Sequence, residues 1–136
     1  MMFDKIFSGT KYLERGLDAA SLRTQVIQNN IANAETPGFK SSRVAFESVF
    51  RDALQAKSGF TTKVTRDKHR SFTTDVNSVE AAVIQNSNTT MRMDENNVDI
   101  DYENTQLAKN QIYYSALVQQ LNSEFARLRM AIREGG

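Results

Sequence analysis

Apolar residues recur at alternating steps of four and three near both ends of the chain and lose that rhythm in between. From about Thr10 to Ala34 the recurring positions are Leu13, Leu17, Ala20, Thr24, Ile27, Ile31 and Ala34, the spacing of a heptad seam on one side of an amphipathic helix. Thr10 is placed to cap its start. Pro37 sets its end near Ala34 or Glu35, because the residue before a proline is pushed out of the α region. From about Tyr102 to Arg133 the same rhythm runs through Leu107, Gln111, Tyr114, Val118, Leu121, Phe125, Leu128 and Ile132. Asp99, Asp101 and Glu103 crowd the start of this second helix and Arg127, Arg129 and Arg133 its end, which complements the helix dipole. At 1.5 Å per residue the two helices are about 37 Å and about 48 Å long, long enough to suggest a rod-like pair.

The stretch between them has a different texture. Residues 58–90 are dominated by Ser, Thr and Asn and carry a basic cluster of Lys63, Arg66, Lys68, His69 and Arg70. Phe60, Val64, Phe72, Val76, Val79, Val83 and Ile84 are scattered too irregularly for a confident sheet and predict at most short β segments. Val44, Phe46, Val49, Phe50, Ala53 and Leu54 stand at near-helical spacing and predict a short helix within Val44 to Ala56. The expected fold is therefore mainly α: two long terminal helices packed as a coiled-coil-like pair, joined by an irregular or weakly β middle. A chain of 136 residues suits a single domain, read as an N-terminal helical region (1–36), a connecting region (37–98) and a C-terminal helix (99–136).

Composition narrows the function. Seventeen basic residues stand against sixteen acidic ones, a formal charge of +1, so no global field favours nucleic acid or an anionic membrane. The absence of Cys removes disulfides, thiolate nucleophiles and cysteine metal sites. Met1 to Gly9 has neither a basic leader nor an unbroken apolar run, which predicts no cleaved secretory signal. No later apolar run approaches the roughly 20 residues of a membrane span. The polar middle buries little to offset ordering costs of about 1–2 kcal/mol per residue, so seams completed by other subunits would add what the lone chain lacks.

One run closes the first helix and turns the chain: Asn29-Asn30-Ile31-Ala32-Asn33-Ala34-Glu35-Thr36-Pro37-Gly38-Phe39-Lys40. Pro37 supplies φ near −65° and Gly38 can take positive φ, which fits a type II turn, while the Asn amides are available to neighbouring backbone ends. The run resembles the N-terminal signature of the flagellar rod, hook and hook-associated proteins, in which Asn-Ile-Ala-Asn-Ala leads into Thr-Pro-Gly-aromatic. A second stretch, Asn96-Asn97-Val98-Asp99-Ile100-Asp101 leading into Leu107, Ala108, Asn110, Tyr114 and the seam to Ile132, resembles the C-terminal region of the short proximal rod proteins of that family. Residues 57–90 carry no family motif.

The resemblance implies a structural subunit of the proximal rod in the flagellar basal body, exported without a cleaved signal and required for motility. It implies as partners further copies of the chain, other rod proteins, a membrane-ring adaptor and the export gate, with no cofactor, no nucleic acid and no direct membrane insertion. Packing between subunits is expected at Leu13, Leu17, Ile27, Ile31, Tyr114, Val118, Leu121, Phe125, Leu128 and Ile132. The turn is expected at Asn30, Ile31, Ala32, Asn33, Ala34, Thr36, Pro37 and Gly38, and the start of the C-terminal helix at Asn97, Val98, Asp99 and Asp101.

Other chemistry fits the residues poorly. Counted from Asp94, the acidic stretch places Asp99 where a calcium loop needs Gly and Thr105 where it needs a bidentate Glu. His69 sits among cations with no carboxylate cluster or Cys to build a metal site or triad. No Gly-x-Ser-x-Gly elbow and no phosphate loop is present, so the sequence predicts no enzyme. Two rival classes remain: a self-contained coiled-coil adaptor, and a single-stranded nucleic-acid binder using Lys63 to Arg70 flanked by Phe60 and Phe72.

Overall fold

The computed structural model describes residues 2–48, 50–51 and 80–134. Two helices dominate them: α1 (Met2–Ala32) and α2 (Ile100–Glu134), with β1 (Ser42–Ala45) and β2 (Ala82–Gln85) between. The mainly helical fold with paired terminal helices is thus the one the periodicity predicts.

The helices run antiparallel. Along α1 from its end backwards, Asn30 meets Glu103, Thr24 and Ala20 meet Asn110, and Gly16 meets Leu117. A methyl group added at Gly16 would stand 3.2 Å from a Leu117 methyl, so the glycine is what lets the two helices approach this closely. β1 and β2 pair antiparallel with Ser42 opposite Gln85 and Ala45 opposite Ala82. Val44 and Phe46 pack with Ala19 to form the small apolar core, flanked by Tyr12, Leu22, Val26, Phe50 and Ala81. Phe46 and Phe50 stack at 5.4 Å, and Tyr12 meets Phe50 edge-on at 5.9 Å. α1 therefore carries α2 on one side and β1 on another.

Three boundaries differ from the sequence reading. Thr10 is no N-cap: it lies inside α1, which begins eight residues earlier, and is only 5% exposed. The adjacent Gly9 costs about 1 kcal/mol in a helix interior, too little by itself to stop a helix of this length. Within the predicted short helix, Val44 and Ala45 are instead strand, because the pairing with Val83 and Ala82 claims their backbone groups. Helix follows only after Phe46, where the Phe50 amide donates to the Phe46 carbonyl at 2.8 Å. Finally, α2 starts at Ile100, two residues before Tyr102. Val83 and Ile84 do form a strand; the other proposed β residues, Phe60 to Val79, and the basic cluster Lys63 to Arg70 lie outside the described residues.

Candidate assembly site

The last carbonyls of α1 keep backbone partners as the chain turns. The Asn33 amide donates to Asn29 and Asn30 carbonyls and the Ala34 amide to Ile31, tightening the final turn. Gly38 has φ +71°, and the Phe39 amide donates to the Thr36 carbonyl at 3.3 Å, closing the turn around Pro37.

Asn96 then seals this end. Fully buried, it donates through Nδ2 to the carbonyls of Asn33, Ala34 and Thr36 at 3.1, 3.0 and 2.8 Å, and its Oδ1 accepts the Val98 amide at 2.7 Å. Carbonyls near a helix C-terminus are costly when buried without partners, and this one side chain adds a second bond to each of three of them. Arg92 adds a bond to the Ala34 carbonyl, and the Gly38 amide donates to the Asp94 carbonyl at 2.8 Å.

Two more asparagines tie in the hairpin. Asn30 offers both halves of its amide to the Ser42 backbone, donating to its carbonyl at 2.7 Å and accepting its N–H at 2.9 Å, as a neighbouring strand would. Asn97 accepts the Ser41 amide at 2.6 Å and donates to the Asn86 carbonyl and the Thr89 hydroxyl, bridging the start of β1 and the exit of β2. Asp99 caps α2, its Oδ1 accepting the amides of Asp101 and Tyr102.

The same polar character runs along the helix pair. Asn30 also donates to Glu103, whose carboxyl is held above its ordinary range by burial, with the Asn30 hydrogen bond opposing and the Asp99 charge reinforcing the shift. Asn110 donates to the Ala20 carbonyl at 2.8 Å and to the Thr24 hydroxyl at 2.9 Å. Arg23 grips Glu47 through both carboxylate oxygens at 2.6 and 2.7 Å. Partial burial works to raise the Glu47 carboxyl, but the Arg23 and backbone hydrogen bonds hold it below its usual value.

The seam residues read from the sequence divide into two groups. Ile27 is buried, and Leu13, Leu17, Ile31, Val118, Leu121 and Leu128 are half-buried. Tyr114, Phe125 and Ile132 are exposed, Phe125 at 42% and Ile132 at 77%. In the turn, Asn30 and Ala34 are buried while Ala32, Thr36, Pro37 and Gly38 face solvent; Asn97 and Val98 are buried, Asp99 and Asp101 exposed. Periodicity had no role for Asn96, Glu103, Asn110 or Gly16, because it counts apolar residues and these act through polarity or small size. A usable signal existed: Glu103, Asn110, Leu117 and Glu124 form a strict seven-residue repeat beside the apolar one.

Sequence comparison places this architecture. Residues 12–40, the last two thirds of α1 and the turn after it, match the family described as flagella basal body rod protein. Over 132 residues the chain is 37% identical to the flagellar basal body rod protein FlgB of Bacillus subtilis (strain 168), covering 96% of this chain and 98% of that one. The chain belongs to the FlgB family of flagellar basal body rod proteins. Identity is 32% over 126 residues to FlgB of Borreliella burgdorferi, covering 90% of this chain and 93% of that one, and 30% over 131 residues to FlgB of Aeromonas hydrophila, covering 96% and 95%. The FlgB likeness thus spans both asparagine-bearing ends and the middle between them. No helix among the described residues is long and apolar enough to cross a membrane.

Proposed function

We infer that this chain is a structural subunit of the rod in the bacterial flagellar basal body, at its proximal end, and that motility depends on it. The near full-length similarity to FlgB proteins carries the reading. Its physical support is one face of α2, on which Tyr114, Phe125 and Ile132 are exposed in the lone chain; Ile112 and Met130 are exposed on the other side of the helix. Isolated surface apolar residues are ordinary, but a row recurring along one long helix is the form a helix offers to another helix. Burying it against neighbours through a non-closing, head-to-tail contact builds a helical array.

The expected neighbours are further copies of this chain, other rod proteins, a membrane-ring adaptor and the export gate, which the subunit reaches without a cleaved signal. In this reading residues 1–136 act as one unit with no catalytic step. Deleting the gene and imaging the cell envelope by electron microscopy tests it. Membrane rings without rod, hook or filament, restored by the wild-type gene, are expected; intact flagella and normal swimming would overturn it.

A further inference from the structure

Two heptad rows run along α2 one residue apart, and the chain pairs its own helices through the less apolar of them. One row is Glu103, Asn110, Leu117 and Glu124; the other is Gln111, Val118, Phe125 and Ile132. Hydrophobic burial favours the second, since a buried Val, Phe or Ile contributes about 1.5–3 kcal/mol while a buried Asn or Glu must first recover its desolvation cost. Yet among the described residues of α2 only Glu103 and Asn110 are fully buried, at 7% and 3% exposure, and Leu117 lies against Gly16.

The partners of Asn110 explain the reversal. Both its Nδ2 bonds go to α1, to the Ala20 carbonyl and the Thr24 hydroxyl, and Thr24 itself donates to Ala20 at 3.2 Å. One heptad away from Ala20 and Thr24 in either direction stand Leu13 and Leu17, or Ile27 and Ile31, none with a side-chain acceptor. A slide by seven residues would set Leu17 or Ile31 in the place of Thr24, so the Asn110 amide would lose its hydroxyl partner, and a rotation onto the apolar row would remove it from α1. A single polar residue in a helix seam is known to fix register and partner in this way, at some cost in stability.

We propose that Asn110 is the selector that decides which face of α2 pairs within the chain, so that Phe125 and Ile132 stay available to a second chain. The last clause rests on the rod reading; the selection itself does not. It is tested on the isolated full-length chain, where the lack of native cysteine allows nitroxide labels at Gln28→Cys and Asn104→Cys, both exposed. Dipolar electron spin resonance, with labelled chain diluted into unlabelled chain, then reads the intrachain spacing of α1 and α2.

With Asn110 present a single narrow distance is expected. Asn110→Leu and Asn110→Ala are each expected to keep helicity but to broaden the distribution or add a second population. Asn110→Leu should also give interchain distances when chains labelled singly are mixed. An unchanged narrow distance in helical variants would overturn the proposal, and so would loss of helicity in both, which would make Asn110 a folding requirement and not a selector. If Asn110→Leu alone fails to fold, Asn110→Ala decides. Either negative result leaves the rod reading standing, whereas intact flagella in the deletion strain would remove that reading and leave the selector untouched.

Discussion

Where α1 ends, side chains reinforce the backbone, with Asn30, Asn96 and Asn97 together serving Asn33, Ala34, Thr36, Ser41, Ser42 and Asn86. Towards the far end of α2 the opposite holds: Phe125, Met130 and Ile132 are turned to solvent with nothing described against them. A saturated polar clasp gives a defined shape to one end of a subunit without needing a neighbour. An exposed apolar row gives the other end a reason to acquire one. The division separates what the chain does alone from what it does in company.

The sharpest way to break that division is a charge on the open row. Phe125→Asp should leave the isolated chain within about 0.5 kcal/mol of wild-type stability, as surface substitutions usually do. Assembly should nevertheless be lost, because the carboxylate would be buried unpaired at a subunit contact. Urea melts read the first effect and swimming assays and envelope microscopy the second; motile cells would show that this row meets no neighbour. Leu121→Asp is expected to block assembly too, but Leu121 is already half-buried within the chain, so its stability should fall as well.

The clasp should respond the other way round. Asn96→Ala leaves the Val98 amide without its partner and takes one bond from each of three carbonyls that keep another, from the Thr36 amide, Arg92 and the Phe39 amide; at about 1 kcal/mol per lost bond the expected destabilisation is about 3 kcal/mol. Urea denaturation of the isolated chain measures it directly. A loss under about 1 kcal/mol would mean that water replaces the side chain without penalty, and that this end is not what shapes the subunit.

Gly38 separates backbone strain from packing within the same clasp. A side chain there would meet nothing within 4 Å, so only its φ of +71° objects to substitution. Gly38→Val should cost about 2 kcal/mol, whereas Gly38→Asn, which tolerates the left-handed region, should cost well under 1 kcal/mol. Thermal melts of the two variants check the contrast, and equal losses would point to the missing side-chain space that the geometry does not show. In cells Gly38→Val is expected to assemble poorly.

Much of this was legible from residues alone, and the part that was not has a common cause. The two helices were visible because Leu, Ile and Val recur at helical spacing, and the turn because Pro37 and Gly38 restrict or permit specific dihedrals. The row of α2 that faces α1 was not, because it is read as polar: counting apolar positions selects Val118 and Phe125 and passes over Asn110 about two turns earlier. Asn96 seals carbonyls some sixty residues away in sequence, a pairing no local pattern encodes. Thr10 has the chemistry of a cap, and only the helix continuing to Met2 shows that it lies inside the helix.

The smallest expected effect concerns the one carboxylate inside the helix pair. Burial raises the Glu103 pKa above its unfolded value, the Asn30 bond opposes this and the Asp99 charge adds to it; Arg23, Arg43, Glu47 and Lys109 line the same cleft. A raised carboxyl pKa means that the folded chain binds the proton more tightly than the unfolded one. Its contribution is therefore fully present below the unfolded value and declines as pH rises through the folded one. Glu103→Gln keeps an oxygen for the Asn30 amide while removing the charge. The variant should match wild type at acid pH and become modestly the more stable as pH climbs from about 4.5 towards neutrality. Glu47, lowered by its bonds to Arg23, pulls the opposite way in wild type and variant alike, so it cancels from the difference. A stability difference that does not change with pH would mean that Glu103 is ionised at no cost, and that the polar row is less dry than its exposure indicates.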